Sequence, residues 1–312
     1  MEQPLIITAC TSRKSAPPEE RLQASDLPRG PLVEVVGTWN AWVKQHHFRL
    51  PASELYVGRG ATEAKRAADF CGGQHWFISA GLGLVSAKET VAAYDLTVAG
   101  SGSNCIAIKV RGPAFRSKDW WSAVSGKRRP ARKLSRLIAA NPKSLAILAL
   151  PGSYLAMVAD DLEELSRAEL RRLRLVGPPE ASVPTSLRPY WMPYDDRLDG
   201  PLSLCRGTRS DFPQRAARHF IEEIWTAAKA ATATRHAEAV EDLLASLPYP
   251  IVPKRRQLDD AELLVVIKEI WTRAEGQSSR MLRILRDEEL IACEQGRFKV
   301  LFYRVKEQLG IV

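Results

Sequence analysis

HWFISAGLGLVSAKETVAAYD, running from His75 to Asp95, is the stretch from which the rest of the chain can be placed. Trp76, Phe77 and Ile78 form a short apolar run ending in small residues, as in the buried strand of a parallel sheet. The run empties into Ser79-Ala80-Gly81-Leu82-Gly83-Leu84, where two glycines permit a turn and close backbone approach to a ligand. Tyr94-Asp95 follows, an aromatic beside a carboxylate in a segment that reads as too polar and irregular for the core. Ligands of open α/β sheets sit at the carboxyl ends of the strands, which makes Asp95 the first candidate for chemistry. An aspartate that caps a turn would give the same pattern.

Outward from this stretch the pattern repeats. Pro4 to Ala9 (PLIITA) reads as a first strand leaving through Cys10-Thr11-Ser12-Arg13-Lys14-Ser15. Hydroxyls and two cations at a strand exit suit a phosphate or sugar, although the P-loop glycines are absent. Ala16 to Arg29, rich in proline and charge, reads as a surface loop. In Leu32 to Gln45, Val35, Val36, Trp39 and Trp42 fall at helical spacing and read as core. Tyr56 and Arg59, in SELYVGRG, offer stacking or pairing with a nucleotide. Asn104 to Val110 (NCIAIKV) and Ser144 to Leu150 (SLAILAL) read as further strands, the second broken by Pro151-Gly152-Ser153-Tyr154 before a helix. The expectation to about residue 200 is an α/β domain with a mostly parallel sheet flanked by helices.

Beyond that the character changes. Trp191 to Leu202 holds a second Tyr-Asp pair, Tyr194-Asp195. A helix is expected from Gln214, with Arg209, Arg215 and Arg218 near its N-terminal end, where cations oppose the helix dipole unless an anion sits nearby. Helical patterns recur to the end of the chain. In the Ser278–Glu288 segment, Arg280, Arg283 and Arg286 recur every third residue opposite Met281, Leu282 and Leu285. This spacing suits a recognition helix of the helix-turn-helix kind, or an amphipathic helix docked on the first domain. The expected division is residues 1–210, catalytic α/β, and 211–312, a helical DNA-docking domain.

The chain has 312 residues, 45% hydrophobic and 26% charged, which excludes global disorder. A formal charge of +9 favours a polyanionic partner, and the resemblance described below implies double-stranded DNA. Gly126 to Lys133 concentrates cations, Lys127, Arg128 and Arg129 among them, as a solvated surface or a phosphate contact does. Five scattered cysteines with no CxxC pair, and five histidines with no HxxxH, support neither a metal site nor a disulfide framework. No cofactor motif is present. The expectation is a metal-free protein of the cytoplasm, with no membrane span.

ITACTSRK, SELYVG, WFISAGLGLV and AAYDLTV, with MPYDDRLDG and GTRSDFPQRAARHF further on, resemble a bacterial domain family with uracil-DNA-glycosylase-like and deazaguanine-related folds. The likeness runs to about residue 220. Within that family the chain is similar to antiphage DNA glycosylases, which implies excision of a hypermodified base, glucosylated hydroxymethylcytosine, from phage DNA. It departs from uracil-DNA glycosylases proper in lacking their GQDPYH-like and HPSP-like loops, so their catalytic residues do not carry over.

The residues support the same chemistry by their own logic. Breaking an N-glycosidic bond develops positive charge on the sugar, which a fixed carboxylate stabilises or converts into a site for an activated water. Asp95 takes that role, with Glu89 and Asp195 as substitutes. Tyr56 or Tyr94 stacks on an extruded base, Cys10 and Gly81 line its site, and Ser12 and Lys14 grip sugar or phosphate. Arg13, Arg59, Lys127, Arg128, Arg129, Arg209, Arg280, Arg283 and Arg286 face the DNA backbone. Lys14 as a Schiff-base nucleophile would instead make a lyase, but nothing in the sequence shows the lowered pKa this needs. Two other classes stay open: a small-molecule nucleoside N-glycoside hydrolase or transferase, and a non-catalytic DNA-binding protein.

Overall fold

The structure is a computed structural model that describes residues 3–46, 49–100, 102–112, 114–126, 133–251 and 253–311. Five strands form its central sheet: β1 (Leu5–Ala9), β2 (Gln74–Ser79), β3 (Gly83–Ser86), β4 (Ala146–Ala149) and β5 (Leu173–Val176). Their order is β3-β2-β1-β4-β5, with β2, β1, β4 and β5 parallel and β3 antiparallel at one edge. The mostly parallel α/β sheet expected from the sequence is present.

Period-two alternation explains how each strand serves two cores. Leu5, Ile7 and Ala9 of β1 and Ala146 and Leu148 of β4 join one apolar cluster, with Leu134, Leu137, Leu155, Val158 and Leu162. Ile6, Ile147 and Ala149 join the opposite one, with Ala67, Ala216, Phe220 and Val240. Accordingly helices α4 (Leu134–Ala140) and α5 (Gly152–Glu163) supply the first cluster, and α2 (Arg59–Cys71), α6 (Phe212–His219) and α7 (Ala233–Ala245) the second. A third cluster gathers Val35, Val36 and Trp39 of α1 (Leu32–Gln45) and Trp120 of α3 (Ser117–Ser125) around Tyr56, Phe77 and Tyr94.

The differences from expectation have physical causes. The turn that the two glycines permit closes a hairpin, with Ser79 opposite Gly83. The segment before Asp95 is core rather than an irregular surface, since Val91, Ala92, Ala93 and Tyr94 are buried. Ala16 to Arg29 is likewise more than a surface loop, because Leu22, Ala24 and Leu27 anchor it in the third cluster. NCIAIKV is no strand: β3 already occupies the sheet edge beside β2, and Ile106–Ile108 winds into a 3-10 turn with Ile106 bonded to Thr97 O.

The chain separates between Pro250 and Ile251, not at 210/211. Helices α6 and α7 bury Ala216, Ala217, Val240 and Leu244 with strand residues of the sheet, so they belong to the first unit. The second unit, Ile251–Val312, has its own core of Leu263, Ile267, Met281, Leu285, Phe298 and Phe302. It contains α8 (Asp260–Glu269), α9 (Ser278–Arg283, running on to Glu288) and α10 (Gln295–Gln308). A short parallel pair, Arg256–Gln257 with Ile291–Ala292, completes it. Among the described residues, no helix is long and apolar enough to cross a membrane.

Candidate active site at the sheet switch point

After β1 the chain builds β2 on one side and later returns to build β4 on the other, so the carboxyl ends of β1 and β4 form a topological switch point. Such a point leaves a natural crevice, because the two connections diverge. Cys10 leaves β1 here and Tyr154 lies in the first turn of α5 after β4, with Cys10 Sγ 3.4 Å from the Tyr154 hydroxyl. Helix α5 begins three residues after β4, so its positive end lies at this edge, without a side-chain cap.

Local pairing fixes the other groups. Residues 13–15 run antiparallel to 55–57, through Val57 N–H to Arg13 O and Ser15 N–H to Leu55 O, with Lys14 opposite Tyr56. Directly opposed residues present side chains to the same face. Lys14 Nζ therefore stands 4.3 Å from the Tyr94 ring centroid and 5.9 Å from that of Tyr56. Asp95 is clamped by its main chain: its N–H donates to Leu22 O and its carbonyl accepts from Ala24 N–H, both at 2.8 Å. Its Oδ1 accepts from Asn104 Nδ2 at 2.9 Å.

Beneath these groups runs a buried hydroxyl chain. Ser79 Oγ accepts from Leu82 N–H at 3.1 Å and from the Tyr56 hydroxyl at 3.0 Å. A serine hydroxyl has two acceptor lone pairs and one proton, so that proton goes to the Tyr94 oxygen 2.7 Å away. Tyr94 in turn donates to Cys10 Sγ at 3.5 Å. Burial, reinforced by Cys10, pushes Tyr56, Tyr94 and Tyr154 well above the usual phenol range, so all three remain donors. Burial holds the Lys14 ammonium below its ordinary pKa, against the opposing pull of Cys10 and Asp95. The candidate rim is Lys14 and Cys10, with the Asp95 charge acting on Lys14, over a floor of neutral phenols.

Gly81 supports this floor from below. A Cβ at Gly81 would stand 2.8 Å from the Tyr94 ring and 3.0 Å from that of Trp39, whose indole N–H holds Gly81 O at 2.6 Å. Gly81 thus packs against both rings while also lining a cavity. A cavity of about 860 Å³ opens on another side of the same turn, where Gly81 and Glu89 meet Asn40, Lys44, Arg49 and Asp119. None of Cys10, Lys14, Tyr56, Tyr94 or Asp95 lines it. The candidate site is the switch-point cluster of Cys10, Lys14, Tyr94 and Tyr154.

Of the other residues expected at a site, Ser12 and Arg13 are exposed beside the cluster. Asp195 lies elsewhere: it caps a 3-10 turn through Arg197 N–H, pairs with the Arg197 guanidinium at 2.9 Å and accepts from Tyr249. The anion that the cations near α6 call for is the chain's own. Arg215, 1% exposed, is held by Asp211 at 2.6 Å and Asp199 at 2.7 Å, and Arg218 pairs with Glu63 at 2.9 Å. Arg59 likewise pairs with Asp211 at 3.0 Å and donates to Arg206 O. Arg280 pairs with Glu275, and Arg286 donates twice to Cys293 O, leaving Arg283 and Arg209 exposed. Lys127, Arg128 and Arg129 lie outside the described residues. Ser79, Asn104 and Tyr154 were not singled out from sequence; the polar ends of WFIS and PGSY were the only signals.

No family model, no curated protein and no solved structure matches this chain.

Proposed function

We propose that the protein is a DNA N-glycosylase that hydrolyses the bond between deoxyribose and a modified base, with glucosylated hydroxymethylcytosine in phage DNA as the substrate implied by the sequence resemblance. The observation that carries the reading is the Asp95 carboxylate, clamped by main chain and Asn104, with its charge acting on Lys14. A carboxylate fixed in this way needs no reorganisation when positive charge develops at C1′, and a water it holds is the nucleophile. The neutral phenols of Tyr94 and Tyr154 are hydrogen-bond donors for a departing base or a sugar oxygen. Exposed Arg13 and Arg209 suit phosphate contacts, as Arg283 does on a DNA-docking, helix-turn-helix-like second unit.

One observation favours a second reading. Several cations expected on DNA, namely Arg59, Arg280 and Arg286, are engaged within the chain. A small-molecule nucleoside hydrolase or transferase needs the same Asp95 without a basic face. Incubating the protein with modified and unmodified phage DNA and with free nucleosides, and weighing released bases by mass spectrometry, separates the two. Base should leave modified DNA, and Asp95→Asn should reduce release by at least about a hundredfold while DNA affinity stays within a few-fold. Release from nucleosides alone favours the second reading, and full activity of Asp95→Asn moves the chemistry to another group.

A further inference from the structure

Lys14 is placed with more care than phosphate contact requires. The antiparallel bridge to Tyr56 turns it toward the floor of the site, and Nζ rests over the Tyr94 ring. Its only hydrogen-bond acceptors among the described residues are Thr11 O and Ser12 O, both at the 3.5 Å limit, and it forms no ion pair there. Lys133 shows the contrast: its ammonium lies 2.6 Å from Glu164 and 3.9 Å from Asp161, as a lysine kept charged does. A half-buried amine without a carboxylate in contact loses its proton more readily, and burial does lower the Lys14 pKa.

We propose that Lys14 Nζ is a nucleophile toward the ring-opened C1′ aldehyde of an abasic deoxyribose in DNA, so that the site cleaves the strand after releasing the base; this rests on the N-glycosidic reading of the same site. The amine adds to C1′, forming the N–C bond while the carbonyl oxygen takes a proton. The resulting carbinolamine loses that oxygen as water and becomes an iminium. Asp95, the carboxylate that acts on Nζ, removes a C2′ proton. The electron pair freed there forms the C2′–C3′ double bond as the C3′–O bond breaks, and the phosphate leaves with the bonding pair. Water then hydrolyses the imine and restores the amine. No oxidant or metal enters the balance.

The test uses the full-length protein, a synthetic duplex carrying one ready-made abasic site, and sodium borohydride to reduce the imine. A covalent protein–DNA adduct is expected, with the sugar remnant on the Lys14 peptide by mass spectrometry. Lys14→Arg, which keeps charge and length, and Lys14→Met should each lose the adduct by at least about tenfold, with melting temperatures near that of the wild type. No adduct on a duplex that the wild type binds, or a remnant mapped to another residue, overturns the proposal. Because the abasic site is supplied, base release is not needed for trapping. Adduct without base release from phage DNA defeats the glycosylase reading alone; base release without adduct defeats the Lys14 step alone.

Discussion

At the scale of single residues, Ser79 holds the site together although it touches no solvent. Its hydroxyl serves Leu82 N–H and both the Tyr56 and Tyr94 phenols. Ser79→Ala should therefore cost about 1–3 kcal/mol, because it removes the buried hydroxyl that bonds Leu82 N–H and both phenols. Urea denaturation should show a lower midpoint with an unchanged slope. Cys10 and Lys14 could be named from a strand exit, Tyr56 from the glycine near it, and Tyr94-Asp95 as an aromatic beside a carboxylate. Ser79, Asn104 and Tyr154 could not. Their roles depend on register and on a crossover that brings Tyr154 against Cys10, across 144 positions in the chain.

At the scale of elements, helix α6 shows why Arg215 and Arg218 near its start need no outside ligand. Arg215 is clasped by Asp211, Asp199, Cys205 O and Thr208 O, and Gly207 lies too close to its guanidinium to carry a Cβ. Arg215→Ala should destabilise by about 3–5 kcal/mol, because two carboxylates lose their buried counter-charge; calorimetry measures it. The helix was legible from its apolar spacing, but the source of the anion was not, because Asp199 arrives from another loop.

Strand β5 is joined to α7 by a second polar contact, Arg174 Nε donating to His236 Nδ1 at 2.8 Å. A histidine accepting there is neutral, and burial lowers the His236 pKa from its ordinary 6.5. Burial likewise lowers His219, and it brings His75 down to about 4. The unfolded chain takes these protons first as acid is added, so stability is full above pH 6.5 and falls toward pH 4. The loss should reach about 3 kcal/mol from His75 alone, read as a falling melting temperature across that window.

At the scale of the molecule, the boundary at Pro250 predicts where the chain can be cut. A fragment ending at 250 should melt cooperatively near the temperature of the intact first unit. One ending at 235 removes His236, Val240 and Leu244 from the second core and should melt at least about 5 °C lower. Composition points to a division late in the chain, where helical patterns take over. It does not reveal that the first of those helices cover a face of the sheet, since apolar spacing marks a buried stripe without saying what buries it.

The switch point carries a consequence in time as well as in space. Lys14, Ser79, Asp95 and Tyr154 come from four separate passes of the chain, and β1 meets β4 only after more than a hundred intervening residues are in place. Parallel pairings of such separation form late and slowly. A nascent chain released before β4 has β1, β2 and β3 but lacks the Tyr154 hydroxyl against Cys10. Closure of the sheet is thus the last step in assembling the candidate site.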